Sequence, residues 1–149
     1  MKKIAVFTGT RAEYGLLYWI IKRIHESDTS ELPLLVGGMH LSPEFGMTVN
    51  QIEDDGFPIT DRLEFLLSSD SAVGIAKSMG LALIAAAESF SRNKPDLVVL
   101  LGDRFESMAV AQAAMVARIP IAHIHGGEAT EGLIDEAVRH SITKMAHLH

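Results

Sequence analysis

The sequence has no cysteine, which excludes a disulfide framework and thiolate chemistry. Positive charge is also scarce, because 13 lysines and arginines stand against 19 acidic residues and the formal net charge is -6. No basic stripe interrupts this balance. Nucleic-acid-binding domains depend on lysine and arginine to contact phosphates. We therefore expect no nucleic-acid partner.

Long hydrophobic runs are absent too, since no stretch of 18 apolar residues occurs. The most apolar helical segment, 79–87, is flanked by Lys77 and Glu88. The first strand pattern begins at Lys3, which leaves no room for a signal peptide before it. We expect a cytoplasmic protein without a membrane partner.

What the chain does contain is enough apolar material for one core: 48% of its 149 residues are hydrophobic. Continuously apolar runs, typical of strands buried on both faces, alternate with helical patterns. The predicted strands are 3–8, 32–37, 97–101 and 119–124, with a weaker one at 59–65. The predicted helices are one through residues 16–24 and others at 45–55, 71–92, 106–117 and 134–145. This order predicts an α/β fold, a doubly wound, Rossmann-like parallel sheet. The closing residues 146–149 lie where a sixth strand is due.

Glycine and ionisable residues follow four of these strands. Ligands of an open parallel sheet bind beyond the carboxyl ends of its strands, so we expect these residues to share one crevice. The stretches are Gly9-Thr10-Arg11, Gly37-Gly38-Met39-His40, Gly102-Asp103-Arg104 and His125-Gly126-Gly127-Glu128. This repetition is the strongest functional signal in the pattern of the sequence.

Two of these stretches allow a structural and a functional interpretation. Gly9-Thr10-Arg11 is either a tight strand–helix turn with a solvated arginine or the start of a phosphate site, where glycine, a helix N-terminus and a guanidinium favour an anion. It lacks the GxGxxG and P-loop patterns. Asp103 is either a helix N-cap or a catalytic carboxylate.

The histidines near the end of the fifth strand raise the possibility of a metal site. His123 and His125 share a face of the strand, and Glu128 follows. No third ligand stands at a typical spacing, so we expect neither a metal nor another cofactor. The alternative is one packed histidine and one loop histidine.

The last helix carries two i,i+4 pairs, Asp135 with Arg139 and Glu136 with His140. Each pair has the spacing of a surface salt bridge, and a carboxylate is favoured in the first turn of a helix. Cations for a diphosphate and carboxylates for proton transfer thus gather around one crevice, which suits a sugar nucleotide. The residues are Arg11, His40, Asp103, His125, Glu128, Asp135, Arg139 and His140.

Four segments together resemble the hydrolysing UDP-N-acetylglucosamine 2-epimerases, in particular their sialic- and legionaminic-acid pathway branch. They are VFTGTRAEYGLL, GGMHLSPEFG, LLGDRFESMAVAQAA and HIHGGEATEGLIDEAVRHSITKMAHLH. The resemblance implies a two-domain, glycosyltransferase-B-like fold of which residues 1–149 match the N-terminal, Rossmann-like half. The C-terminal half, expected to carry most uridine contacts and a further catalytic histidine, is not matched. We therefore expect this chain to be inactive alone and to self-associate through its cleft wall.

The resemblance also implies a reaction: UDP leaves the sugar nucleotide by elimination across C1–C2, and water adds back with inversion at C2. The product would be free N-acetylmannosamine or a related sugar. Such chemistry needs positioned carboxylates for proton transfer and cations for the diphosphate. By matching positions, Asp103 and Asp135 resemble the family's first and third catalytic carboxylates. Arg11 resembles its arginine near the diphosphate, and Arg139 with His140 its cation pair.

One position departs from the family pattern. The second carboxylate is due where this sequence has His125, so either His125 transfers the proton or Glu128 does. A different substrate, such as a UDP-linked 2,4-diacetamido trideoxyhexose (UDP-N,N'-diacetylbacillosamine), is a further interpretation. The rival functions are a non-catalytic sugar-nucleotide-binding domain and a glycosyltransferase of the same fold.

Overall fold

The computed structural model describes residues 1–42, 47–65, 71–124 and 133–148. The strands are β1 (Lys2–Thr8), β2 (Ser30–Glu31), β3 (Leu34–Gly37), β4 (Asp61–Leu63), β5 (Leu97–Leu101) and β6 (Ile121–Ile124). The helices are α1 (Arg11–Glu26), α2 (Val49–Asp54), α3 (Ala72–Asn93), α4 (Phe105–Val116) and α5 (Leu133–Met145), and a 3-10 turn spans Gly38–Leu41.

The strands form one parallel sheet in the order β4-β3-β1-β5-β6, with β2 paired to the start of β1. After α5 the chain returns to the sheet, where Leu148 bridges to Ala122 in parallel. The chain first winds outward from β1 through β3 and β4, and then crosses back to β5 and winds the other way. This confirms the predicted doubly wound sheet and puts its switch point between β1 and β5.

Proline explains one difference from the predicted strands. The run 32–37 was expected to form one strand, but β3 begins only at Leu34, and a separate short strand, β2, precedes the run at Ser30–Glu31. Pro33 lies between them and has no N–H to donate to the ladder, although its carbonyl accepts from the Val6 amide at 3.1 Å. The β1 partners therefore change from Ser30 and Glu31 to Leu34 and the residues after it.

The second helix is shorter than expected. Periodicity predicted residues 45–55, whereas α2 covers Val49–Asp54 and residues 43–46 lie outside the described ranges. The boundaries of α3, α4 and α5 agree within one residue, whereas α1 extends beyond the predicted apolar stripe, most of all at its start. At α3 the local signals explain this agreement: the Ser71 side chain accepts the Gly74 amide at 3.0 Å, and Lys94 ends the helix in the left-handed conformation.

Apolar side chains cover both faces of the sheet, as the continuous apolar strands predicted. On one face, α1 and α2 pack with Val6, Val36 and Val99; on the other, α3, α4 and α5 pack with Phe7 and Leu100. Successive residues of β1 therefore point into different cores. Helices therefore pack against both faces of the sheet and hold its strands in place.

One described helix, α3, is long and apolar enough to cross a membrane by length and composition alone. Core helices of soluble proteins meet the same criterion, and α3 has a buried stripe that includes Ala82, Ala86 and Phe90. The buried stripe packs against the sheet and α4, while Val73, Leu81 and Ile84 on α3 are exposed.

Candidate functional site

Two loops flank the switch point of the sheet. One follows β1 and leads into α1 at Arg11, and the other follows β5 and contains Asp103. The strands are direct neighbours, with Val6 paired to Val99. In parallel neighbours both loops leave from the same edge. The structure thus brings the two loops of Arg11 and Asp103 to adjacent positions at the place where this class of sheet binds ligands.

The turn before α1 is organised by Glu13. Thr10 is the N-cap and its hydroxyl accepts the Glu13 amide at 3.1 Å, while Glu13 Oε1 accepts the Gly9 amide at 2.9 Å. This is a variant of the capping box, in which the third helical residue reaches back across the N-cap. The Gly9 amide is therefore used inside the protein. Arg11 lies exposed at the start of α1 and makes no ion pair with any described residue.

The loop after β5 does not use Asp103 as a helix cap. The N-cap of α4 is Arg104, with extended dihedrals and no capping side-chain bond. Asp103 stands one residue earlier and is half-buried, and its carboxylate has no hydrogen-bond partner among the residues that the structure describes. Gly102 before it has φ +79°, a conformation that favours glycine. The capping interpretation of Asp103 is thus not realised here.

Behind these two loops lies a charged cluster that the sequence analysis missed. Arg104 Nε donates to both oxygens of Glu106, at 3.0 and 3.1 Å, and the Glu106 side chain is almost fully buried. Glu13 is buried beside them. Burial raises the pKa of Glu13 from 4.5 to about 7, and the charge of Glu106 adds to that rise, against the hydrogen bond from Gly9 and the charge of Arg104. In the sequence, the one sign of this cluster is the spacing of Thr10 and Glu13, which fits a capping box and predicts that Glu13 turns back toward the start of α1.

The loop after β3 approaches the same cluster. Gly38 has φ +60°, and a Cβ there would lie 2.9 Å from the Gly9 carbonyl oxygen and 3.4 Å from Glu106 Oε1. A side chain at this position would collide with the turn before α1. Glycine therefore permits the loops after β1, β3 and β5 to meet.

His40 lies fully buried in this meeting region. Its Nε2 is 2.9 Å from the Thr8 hydroxyl and its Nδ1 is 2.7 Å from the Thr48 hydroxyl. A neutral imidazole, donating from one nitrogen and accepting at the other, satisfies both contacts. Burial lowers the pKa of His40 to about 4, so the ring is neutral at pH 7. Its predicted contact with substrate stays a prediction.

His123 is also buried, and it ties the Asp103 loop to the last helix. Its Nε2 lies 2.7 Å from the Gly102 carbonyl oxygen, so this nitrogen carries the proton and donates. Its Nδ1 lies 3.0 Å from the Thr143 hydroxyl. His123 is thus packed between β6, the loop after β5 and α5, as one of the two interpretations of the histidine pair expected.

The remaining predicted site residues belong to the segment after β6. Arg139 is buried on α5, and its Nη2 lies 3.2 Å from Nε2 of the more exposed His140. Asp135 lies in the first turn of α5, and its side chain is outside the described part of the structure. His125 and Glu128 lie outside the described residues altogether. Among the residues that are described, no group of three or more His, Asp or Glu side chains could hold a metal ion.

A family model described as UDP-N-acetylglucosamine 2-epimerase matches residues 22–149. The chain therefore belongs to this family, as its motifs predicted. It is 44% identical to a GDP/UDP-N,N'-diacetylbacillosamine 2-epimerase (hydrolyzing) of Campylobacter jejuni over 99% of the chain and 38% of the relative. It is also 44% identical to the UDP-N,N'-diacetylbacillosamine 2-epimerase (hydrolyzing) of Legionella pneumophila, over 100% of the chain and 39% of the relative. The chain spans about two fifths of the length of these relatives.

Solved structures of epimerases with this description have the same fold as the chain. A putative UDP-N-acetylglucosamine 2-epimerase from Listeria monocytogenes superposes with a TM-score of 0.84 at 21% identity, over 100% of this chain and 39% of the other. The UDP-GlcNAc 2-epimerase from Neisseria meningitidis bound to UDP-GlcNAc superposes with a TM-score of 0.82 at 23% identity, over 100% and 40%. The chain thus has the fold of about two fifths of an epimerase of this family.

Proposed function

We propose that the complete protein, meaning this chain with any sequence that accompanies it, is a hydrolysing UDP-2-acetamido-sugar 2-epimerase. The observation that carries the proposal is the pairing at the switch point, where the turn leading to Arg11 adjoins the loop of Asp103. This adjacency of the two loops supports a site that combines a cation for a diphosphate with a carboxylate for proton transfer. Membership of the epimerase family supports the same reaction.

The role proposed for Arg11 is to stabilise the departing UDP. It is exposed at the N-terminus of a 16-residue helix, where the helix dipole favours an anion. Asp103 is proposed to act on the protons of the sugar, because it is half-buried in the loop after β5, the strand paired with β1, and is not engaged as a cap. The elimination transfers the C2 proton to a base while the C1–O bond to UDP breaks. Addition of water across the resulting double bond returns a proton to C2 on the opposite face.

The second and third proton-transfer roles are proposed for the segment after β6. The position of Asp135 in the first turn of α5 supports one of these roles for it. For the remaining role we favour His125, with Glu128 as the alternative. Arg139, His140 and His40 are proposed as substrate-binding residues, and for His40 this requires the buried ring to act through its threonine partners or to become accessible.

UDP-N,N'-diacetylbacillosamine is the substrate favoured within this class, since the names of the Campylobacter and Legionella relatives at 44% identity include it. A 43% identical Escherichia coli relative is a polysialic acid biosynthesis protein, which supports N-acetylglucosamine and a sialic-acid pathway as the second candidate. The relatives are more than twice as long as this chain, so we also propose a second domain across the cleft. We also propose that the complete protein self-associates and is cytoplasmic.

The test is to incubate the complete protein separately with UDP-N-acetylglucosamine and UDP-N,N'-diacetylbacillosamine and to analyse the products. Free C2-epimerised sugar plus UDP, formed without an acceptor, is the expected result. Binding without turnover would instead indicate a sugar-nucleotide-binding domain. UDP release that requires an acceptor would indicate a glycosyltransferase.

A further inference from the structure

The cluster of Glu13, Arg104 and Glu106 links the two loops of the proposed site, and within it the two glutamates are buried while the Arg104 side chain is 34% exposed. Glu13 belongs to α1 and holds the turn before Arg11 through the Gly9 amide. Arg104 directly follows Asp103, and Glu106 lies in the first turn of α4. The two carboxylates are 7% and 1% exposed. Such burial makes uncompensated charge costly, so the balance of charge in the cluster matters.

One guanidinium faces two carboxyl groups, and the geometry decides which of them it neutralises. Arg104 Nε contacts both oxygens of Glu106, an arrangement suited to an ionised carboxylate. Glu13 instead receives the Gly9 amide on Oε1. A proton on Glu13 leaves the cluster neutral. Burial raises the pKa of both carboxyl groups, but at Glu106 the charge and the hydrogen bond of Arg104 oppose that rise, so the geometry favours the proton on Glu13. Glu106 is therefore the carboxylate that anchors Arg104.

Asp103 then stands between two anchored neighbours. On one side the Gly102 carbonyl oxygen accepts from His123 Nε2 at 2.7 Å. On the other side the Arg104 side chain is held by Glu106. A loop residue whose two neighbours are fixed has little freedom to leave its position, and catalytic groups lose rate steeply when they are misplaced.

We propose that Glu106 is a positioning residue for the reaction, holding Arg104 and thereby the loop that presents Asp103 to the sugar. The inference rests on the proposed epimerase function. Glu106 does not touch the substrate in this account, because its side chain is buried behind the loop. Its effect is on the placement of Asp103, and so on the chemical step.

The test compares Glu106→Gln with Glu53→Gln in the complete protein. Both changes remove a carboxylate beside an arginine, but Glu53 pairs with Arg62 at the surface, where both side chains are nearly half exposed. We expect Glu106→Gln to lower kcat at least ~10-fold with KM changed less than ~3-fold, and Glu53→Gln to change neither. If Glu106→Gln does not fold by circular dichroism, Arg104→Lys, which keeps the charge but loses the Nε contact, is expected to show the same loss.

A double variant separates positioning from other roles. Because Glu106 acts through Asp103, adding Glu106→Gln to Asp103→Asn is expected to cost no further turnover. Full additivity of the two losses would overturn the inference, as would an Arg104→Lys or Glu106→Gln protein with wild-type kcat while Asp103→Asn is impaired. If the wild-type protein releases no epimerised sugar, or Asp103→Asn is fully active, it is the proposed function that fails.

Discussion

Burial shifts the pKa values of Glu13 and His40 in opposite directions, and each shift should make the free energy of unfolding depend on pH. In the folded protein the pKa of Glu13 is raised from 4.5 to about 7 by burial, and that of His40 is lowered from 6.5 to about 4 by burial. Between pH 4.5 and 7 the folded state keeps a proton on Glu13 that the unfolded state has lost. Its stabilisation is complete below pH 4.5 and is lost as the pH rises through about 7. His40 behaves oppositely: between pH 4 and 6.5 the unfolded state binds its proton, so stability is lost as the pH falls.

The magnitudes follow from linkage. Each interval spans between two and three pH units, and one unit corresponds to about 1.4 kcal/mol. Each group therefore contributes about 3 kcal/mol to the free energy of unfolding. From pH 4.5 to 6.5 the two slopes have opposite sign and similar size. The contributions of this pair to wild-type stability therefore nearly cancel in that range, and a variant is needed to reveal either one.

Glu13→Gln is the informative change. The glutamine oxygen can still accept the Gly9 amide, and the glutamine is neutral like the protonated carboxyl. Only the titration is lost. Relative to wild type, the free energy of unfolding of Glu13→Gln is expected to rise by up to about 3 kcal/mol between pH 4.5 and 8.

Urea unfolding of both proteins at half-unit pH steps measures this difference, with Glu53→Gln as the exposed control. The control should stay parallel to wild type across the range. A Glu13→Gln curve that is also parallel to wild type would refute the assignment of a raised Glu13 pKa, and with it the view that one proton neutralises the cluster.

Further predictions concern the proposed site. Asp103→Asn in the complete protein should lower turnover ~100-fold or more, the scale of general acid–base catalysis, with a thermal midpoint close to wild type; near-normal product release by chromatography would contradict it. If His125 transfers the proton, His125→Ala should cost about as much turnover and remove a limb of the pH–rate profile near neutrality. If Glu128 has that role, Glu128→Gln should be the damaging change and His125→Ala mild. His123→Phe should lower the free energy of unfolding by ~2 kcal/mol, since the Gly102 carbonyl loses a buried donor. His25→Phe, at an exposed position, is the control in the same urea measurement. If His123→Phe and His25→Phe have equal unfolding midpoints, the His123–Gly102 hydrogen bond does not stabilise the fold as proposed.

The sequence by itself determined the elements and the edge of the sheet at which to look for the site. Apolar runs such as that of β5 and the capped, periodic pattern of α3 are local signals, and for them prediction and structure differ by at most a residue or two. The family followed from motifs spread along the whole chain. The assignment of proton transfer to His125 or Glu128 stays a prediction, because both lie outside the described residues.

Only the tertiary structure decided which ionisable residues are buried and with what. Glu13 and Glu106 are 93 positions apart and lie on different helices, and no local pattern indicates that they are buried close to the same guanidinium. His40 was predicted from its place after a strand, yet its burial depends on Thr8 and Thr48, which arrive from elsewhere in the fold. Protonation depends on desolvation and on charges brought close by folding, so it could not be known before the sheet order placed β1 beside β5.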